Sequence, residues 1–197
     1  MNDEDTWMYH IDYVTGEWEN SMAGFKLYPP TDYDKLNIPL IIKWIESLRS
    51  GNNVQGAEYL EYFLEGETTP RRCCLGVACR VAMAEVLGLK LSVKRSWFAD
   101  DTHKHLTAFD GNDFILPESV MEALGFNDAN PAVFVRENGE VKRYSLTHLN
   151  DGNKLKGIAP RTFAEIADIL ESNFVRQEFR DISPEEVLDM EVDESLD

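Results

Sequence analysis

The sequence predicts one α+β domain with acidic extensions at both ends, and three stretches carry that prediction. Residues 162–174 read as a helix with its own start signal. Thr162 and Glu165 form a capping box, and Phe163, Ile166, Ala167, Leu170 and Phe174 supply a core face. Val133–Arg136 and Val141–Tyr144 flank Asn138-Gly139, which predicts a two-residue hairpin because both turn residues tolerate positive φ. Leu40 to Arg49 places Ile41, Trp44, Ile45 and Leu48 on one helical face, and Ser50-Gly51 is its stop.

From the start of the chain, Trp7, Tyr9, Ile11 and Tyr13 alternate with Met8, His10 and Asp12, a strand pattern. Thr15-Gly16 turns the chain and Trp18 follows. Pro29-Pro30 through Asp34 reads as a loop into the first main helix. Gln55 to Leu64 is compatible with helix or strand, and Gly66–Pro70 is a loop. From Cys73-Cys74 to Leu87 the small apolar residues Ala78, Val81, Ala82, Ala84 and Val86 predict a buried helix closed by Gly88. Leu91 and Val93 begin a strand-like stretch. Asp110-Gly111, between Leu106–Phe109 and Phe114–Leu116, predicts a second hairpin. Pro117–Leu124 is a short helix ended by Gly125. In the tail, Ser183-Pro184-Glu185-Glu186 is a helix start, with Val187, Leu188 and Met190 as a modest apolar stripe. No repeat, low-complexity tract or long linker divides the 197 residues. The expected organisation is an acidic, aromatic extension over 1–35, a core over 36–180 and an acidic tail over 181–197.

The charge narrows the function classes. The net charge is −17, and it gathers at the ends. Residues 1–20 hold Asp3, Glu4, Asp5, Asp12, Glu17 and Glu19 and no base. Residues 181–197 hold eight acids and no base, which leaves residues 21–180 near neutrality at −3. Such a field repels phosphate backbones within a Debye length of about 8 Å, so direct nucleic-acid binding is disfavoured. It attracts basic protein surfaces instead. No apolar run approaches a membrane span of about 18 residues. The start Met1-Asn2-Asp3-Glu4-Asp5 lacks the basic opening of a signal peptide, and three cysteines are an odd number for a secreted disulfide scaffold. The expectation is a protein of a reducing cytoplasm, with no cofactor.

Four constellations could carry chemistry. Cys74, at a predicted helix N-terminus behind Arg71 and Arg72, has positive potential on two counts, both of which favour a thiolate. With His148 as base and Asn150 or Asp151 orienting the imidazole, the order matches that of cysteine hydrolases. Set against this, Leu75-Gly76-Val77-Ala78 make the cysteines read as small buried hydrophobes. Cys74, Cys79, His103 and His105 offer zinc-ligand types without a paired Cys-x-x-Cys, so no metal is expected. Asn150-Asp151-Gly152-Asn153 has the look of a calcium loop but lacks the later glutamate, and reads as a turn. Arg71, Arg72 and Arg80, with Lys90, Lys94 and Arg95 beyond, could hold the phosphate of a small signalling ligand.

Five separated motifs stand in a fixed order: Trp44–Gly51 followed by Gln55-Gly56, Cys73–Cys79, Leu116–Met121, Leu149–Asp151, and Thr162–Glu171. This string resembles a family of small accessory proteins of tailed bacteriophages and prophages, over roughly residues 40–172. The resemblance implies a phage protein at work in the bacterial cytoplasm and brings no activity with it. The chain departs from that pattern in its acidic extensions, in an expanded segment around 90–112 and between Gly152 and Arg161. The expectation is therefore a non-enzymatic protein that engages a host protein with a basic surface. Trp7, Tyr9 and Trp18 would be its apolar anchors, and Glu185, Glu186, Asp189 and Glu191 would steer the encounter.

Overall fold

A computed structural model describes residues 31–98, 104–153, 157–182 and 186. The strand expected over Trp7–Tyr13, together with Trp18, lies outside the described residues. So do Glu185, Asp189 and Glu191, whereas Glu186 is helical and exposed.

The elements run α1 (Ile38–Arg49), β1 (Val54–Gln55), β2 (Glu61–Leu64), β3 (Arg71–Arg72), α2 (Cys74–Glu85), β4 (Val93–Phe98), β5 (Lys104–Phe109), α3 (Glu118–Leu124), β6 (Ala132–Glu137), β7 (Glu140–Ser145), α4 (Leu146–Asp151) and α5 (Phe163–Leu170), which continues as a π-helical turn, Glu171–Val175. Strand order in the larger sheet is β1-β3-β2-β5-β4, parallel between β1 and β3 and antiparallel elsewhere. The smaller sheet is the β6–β7 hairpin. The α+β expectation stands.

Helix α1 is the core's central rod. Asn37 caps it by accepting the Leu40 N–H, and Leu40, Ile41, Trp44, Ile45 and Leu48 are buried. Trp44 is wholly buried, and its indole N–H donates to the Cys74 carbonyl at 2.9 Å, so the largest side chain of the core satisfies its one polar atom. Its ring meets Phe126 edge-on, and Phe126 in turn packs on Phe174. At the far end of α1, Arg49 pairs with Asp168 and Glu171, which ties it to α5.

The capping box of α5 forms as the sequence predicts, with Thr162 and Glu165 exchanging side-chain-to-backbone bonds. The hairpin does too, with Asn138 at φ 53° and Gly139 at φ 90°. Two readings are sharpened by tertiary pairing. The ambiguous segment before Leu64 becomes strand β2, because Glu61–Leu64 find partners on both sides in β3 and β5. The hairpin expected around Asp110-Gly111 is cut to a single bridge, Phe109 with Asn112. Leu106–Phe109 instead pair with β2 and β4, which offer a longer ladder. The π turn, which no local signal marked, brings the buried Asn173 against β6. There its side chain accepts the Phe134 N–H and donates to the Phe134 carbonyl, as a neighbouring strand would.

Candidate functional site

The sequence's separated motifs meet at the start of α2. Cys73 is the N-cap, and its Sγ accepts the Gly76 N–H at 3.4 Å. The next free N–H, of Cys74, is taken by Asn150 Oδ1 at 3.0 Å. Asn150 Nδ2 donates to the Gly56 carbonyl at 2.8 Å and to Asp151 Oδ1 at 2.6 Å. Gln55 closes the circle: its Nε2 donates to the Arg161 carbonyl at 2.8 Å and its Oε1 accepts the Phe163 N–H at 3.0 Å. Two amide side chains thus join β1, α2, α4 and the start of α5. The motifs Gln55-Gly56, Cys73-Cys74, Leu149–Asp151 and Thr162-Phe163 are one polar knot, and a buried polar group is stable only when partnered in this way.

Cys74 lies where the sequence predicts, at the first position of α2, but its environment reverses the expected chemistry. Its thiol is wholly buried and donates to the Leu146 carbonyl at 3.6 Å. Burial pushes all three thiols up: Cys73 to about 12, and Cys74 and Cys79 well above the ordinary thiol range. The arginines that were to favour a thiolate are engaged elsewhere, Arg71 with Glu67 and Arg72 with Glu61. The expected Cys74–His148–Asp151 set therefore holds no activated nucleophile. His148 is half-buried on α4, where its backbone N–H is capped by Ser145. Asp151 does reach this region, with its pKa raised by burial against the hydrogen bonds it accepts from Asn150 and the Glu58 backbone. Asn150, cast as an orienter of His148, orients the backbone of Cys74 instead.

The arginine constellation is likewise consumed by the fold. Glu61 is fully buried, with Arg72 Nε at 2.7 Å and Arg80 bonding both of its oxygens. Burial alone would raise the Glu61 carboxyl, but the bonds from Arg80 and then Arg72 outweigh it and hold the pKa below the ordinary value. Arg72 also donates to Asn53, and the Arg80 guanidinium lies over the Phe109 ring at 4.9 Å. Arg80 thus cross-links α2 to the sheet, Arg72 ties β3 to β2, and Arg71 pairs with Glu67 in the loop before β3, so the three are engaged by carboxylates rather than gathered as an open phosphate cradle. Beside them Thr107, opposite Glu61 in the β2–β5 ladder, is fully buried, and its hydroxyl has no hydrogen-bond partner among the described residues.

The metal constellations do not assemble among the described residues. Cys74 and Cys79 are buried in α2 and His105 is exposed on β5, while His103 lies outside the described residues. Among the described residues no three His, Cys, Asp or Glu side chains come together as metal ligands. Asn150–Asn153 end α4 as a turn, in which Asn153 and Ile158 bridge. No helix among the described residues is long and apolar enough to cross a membrane.

With that geometry in view, residues 37–174 match the family described as Domain of unknown function (DUF8296). The chain belongs to this family. The DUF8296 span runs from the cap of α1 to the π turn, so it contains the whole polar knot and the Glu61 cluster. The acidic ends fall outside it. No curated protein and no solved structure matches the chain. Sequence reasoning does not find the amide knot, although Gln55-Gly56 and Leu149–Asp151 stand out as motifs. Their shared purpose is a contact across 95 residues, and no periodicity reports that.

Proposed function

We propose that the protein is a non-enzymatic binder that engages a host protein with a basic surface through its acidic ends, in the cytoplasm of a phage-infected bacterium. The observation that carries this reading is the state of Cys74. The best candidate nucleophile of the body is fully buried, with its thiol pushed up and its backbone tied to Asn150. Asn150, Arg72 and Arg80 of the DUF8296 span are engaged in holding the span together, which favours the charge at the ends as the working feature. That charge lies at the termini, in residues 1–20 and 181–197. Long-range attraction between such acids and a basic partner speeds encounter, and aromatic anchors supply affinity. The phage setting rests on the motif resemblance.

The test is capture from bacterial lysate with the full chain as bait, against two full-length variants. One carries Trp7, Tyr9 and Trp18 as alanine; the other carries Glu185, Glu186, Asp189 and Glu191 as their amides. The expected result is one host protein held by the parent, lost to the first variant, weakened in the second and released by salt. Capture that ignores both variants and salt would overturn the reading.

A further inference from the structure

Strand β4 ends the larger sheet, and its outer edge has no strand partner among the described residues. Val93, Lys94, Arg95 and Ser96 are all exposed along it. Residues 89–98 hold Lys90, Lys94 and Arg95 and no acid, in a chain of net charge −17. No carboxylate among the described residues pairs with any of these three; Arg95 lies instead over the Phe63 ring at 4.4 Å. Several cations elsewhere in the body are matched at close range: Lys35 by Asp32, Lys43 by Glu46, Arg49 by Asp168, Arg180 by Asp34. An uncovered ladder edge is a template for one more strand, and a basic one selects an acidic strand.

We infer that the edge of β4 is the docking site for the chain's own N-terminal segment, Trp7–Tyr13, added as a sixth strand. Three observations on this molecule converge on that occupant. The segment alternates as a strand must, with Trp7, Tyr9, Ile11 and Tyr13 on one face. Its seven residues match the six of β4 in length. The charges are complementary, since the segment carries Asp12 and no Lys or Arg and is flanked by Asp3, Glu4 and Asp5 on one side and Glu17 and Glu19 on the other. Reach is satisfied as well. Asn37 N–H bonds to the Leu124 carbonyl at the end of α3, and near the other end of α3 Ser119 bonds to Asp110. Asp110 in turn exchanges hydrogen bonds with Ser92, at the root of β4. One short helix of seven residues, about 10 Å long, therefore separates the entry to α1 from the start of β4. The 17 residues between Tyr13 and Thr31 can span about 55 Å when extended, several times what is needed. A second copy of β4 is a poorer occupant, because it would set Lys94 and Arg95 against themselves. The inference concerns the free protein and stands whether or not a host partner exists.

Amide hydrogen exchange of the purified full chain, without any partner, tests it. The expected result is that alternate amides of 7–13, those turned toward β4, exchange at least about tenfold slower than free-chain rates, as ladder amides do. The double variant Lys94→Glu/Arg95→Glu, and separately Ile11→Pro, should return 7–13 to free-chain exchange while α1 and α5 stay protected. Free-chain rates at 7–13 in the parent would overturn the inference. So would protection that the charge reversal leaves intact, and protection that rises with protein concentration, which would make the occupant a second copy.

Discussion

Asn150 caps Cys74 across 76 residues of sequence: its Oδ1 accepts the Cys74 backbone N–H at 3.0 Å, at the first position of α2. A helix begins with N–H groups that have no partner in the helix, and here one is buried. Replacing Asn150 with Leu leaves that N–H and the Gly56 carbonyl unmatched, at a cost of about 3 kcal/mol. Asn150→Asp keeps the acceptor, loses the donor and sets a second carboxylate beside Asp151. Urea unfolding should find both variants destabilised at pH 7, with only the aspartate variant regaining stability as the pH falls toward 4.

The cysteines should be silent in the folded protein. With Cys73 pushed up to about 12 and all three thiols buried, a disulfide reagent at pH 7.5 should react slowly, at a rate set by unfolding. In denaturant all three should titrate at once. A single fast thiol in the native protein would restore Cys74 as a candidate nucleophile.

Thr107 should tolerate the loss of its hydroxyl. The group is buried beside Glu61 with no hydrogen-bond partner among the described residues, so it carries the cost of desolvation without return. Thr107→Val keeps the shape and should raise stability by about 1 kcal/mol in thermal unfolding. A loss of similar size would show that the hydroxyl has a partner in solution.

Asp151 sets a pH dependence of definite sign. Burial raises its folded pKa above the unfolded value of about 3.9, so between the two values the folded state binds more protons than the unfolded. Its contribution therefore falls as pH rises through that window, and at pH 7 the buried carboxylate is a net cost. Asp151→Asn retains an acceptor for the bonds from Asn150 and the Glu58 backbone. It should raise the melting temperature at pH 7 and flatten the profile above the unfolded carboxylate's range. An unchanged profile would place the group in solvent.

The sequence by itself determined the local elements whose signals are local. The Thr162–Glu165 capping box, the Asn138-Gly139 turn and the apolar face from Ile41 to Leu48 involve residues within a few positions of one another, and each formed as its pattern required. It also determined where the charge lies. Tertiary structure alone decided what the polar motifs are for. Whether Cys74 is a nucleophile or a core residue depends on its solvent exposure, and the partners of Arg72 and Arg80 depend on Glu61 being brought between them. Both are set by contacts between distant segments. Spacing along the chain carries helix and strand periods, but not the packing that buries a thiol or joins Gln55 to Phe163. The same holds for β4, whose identity as an edge follows from strand order and from nothing in its own six residues.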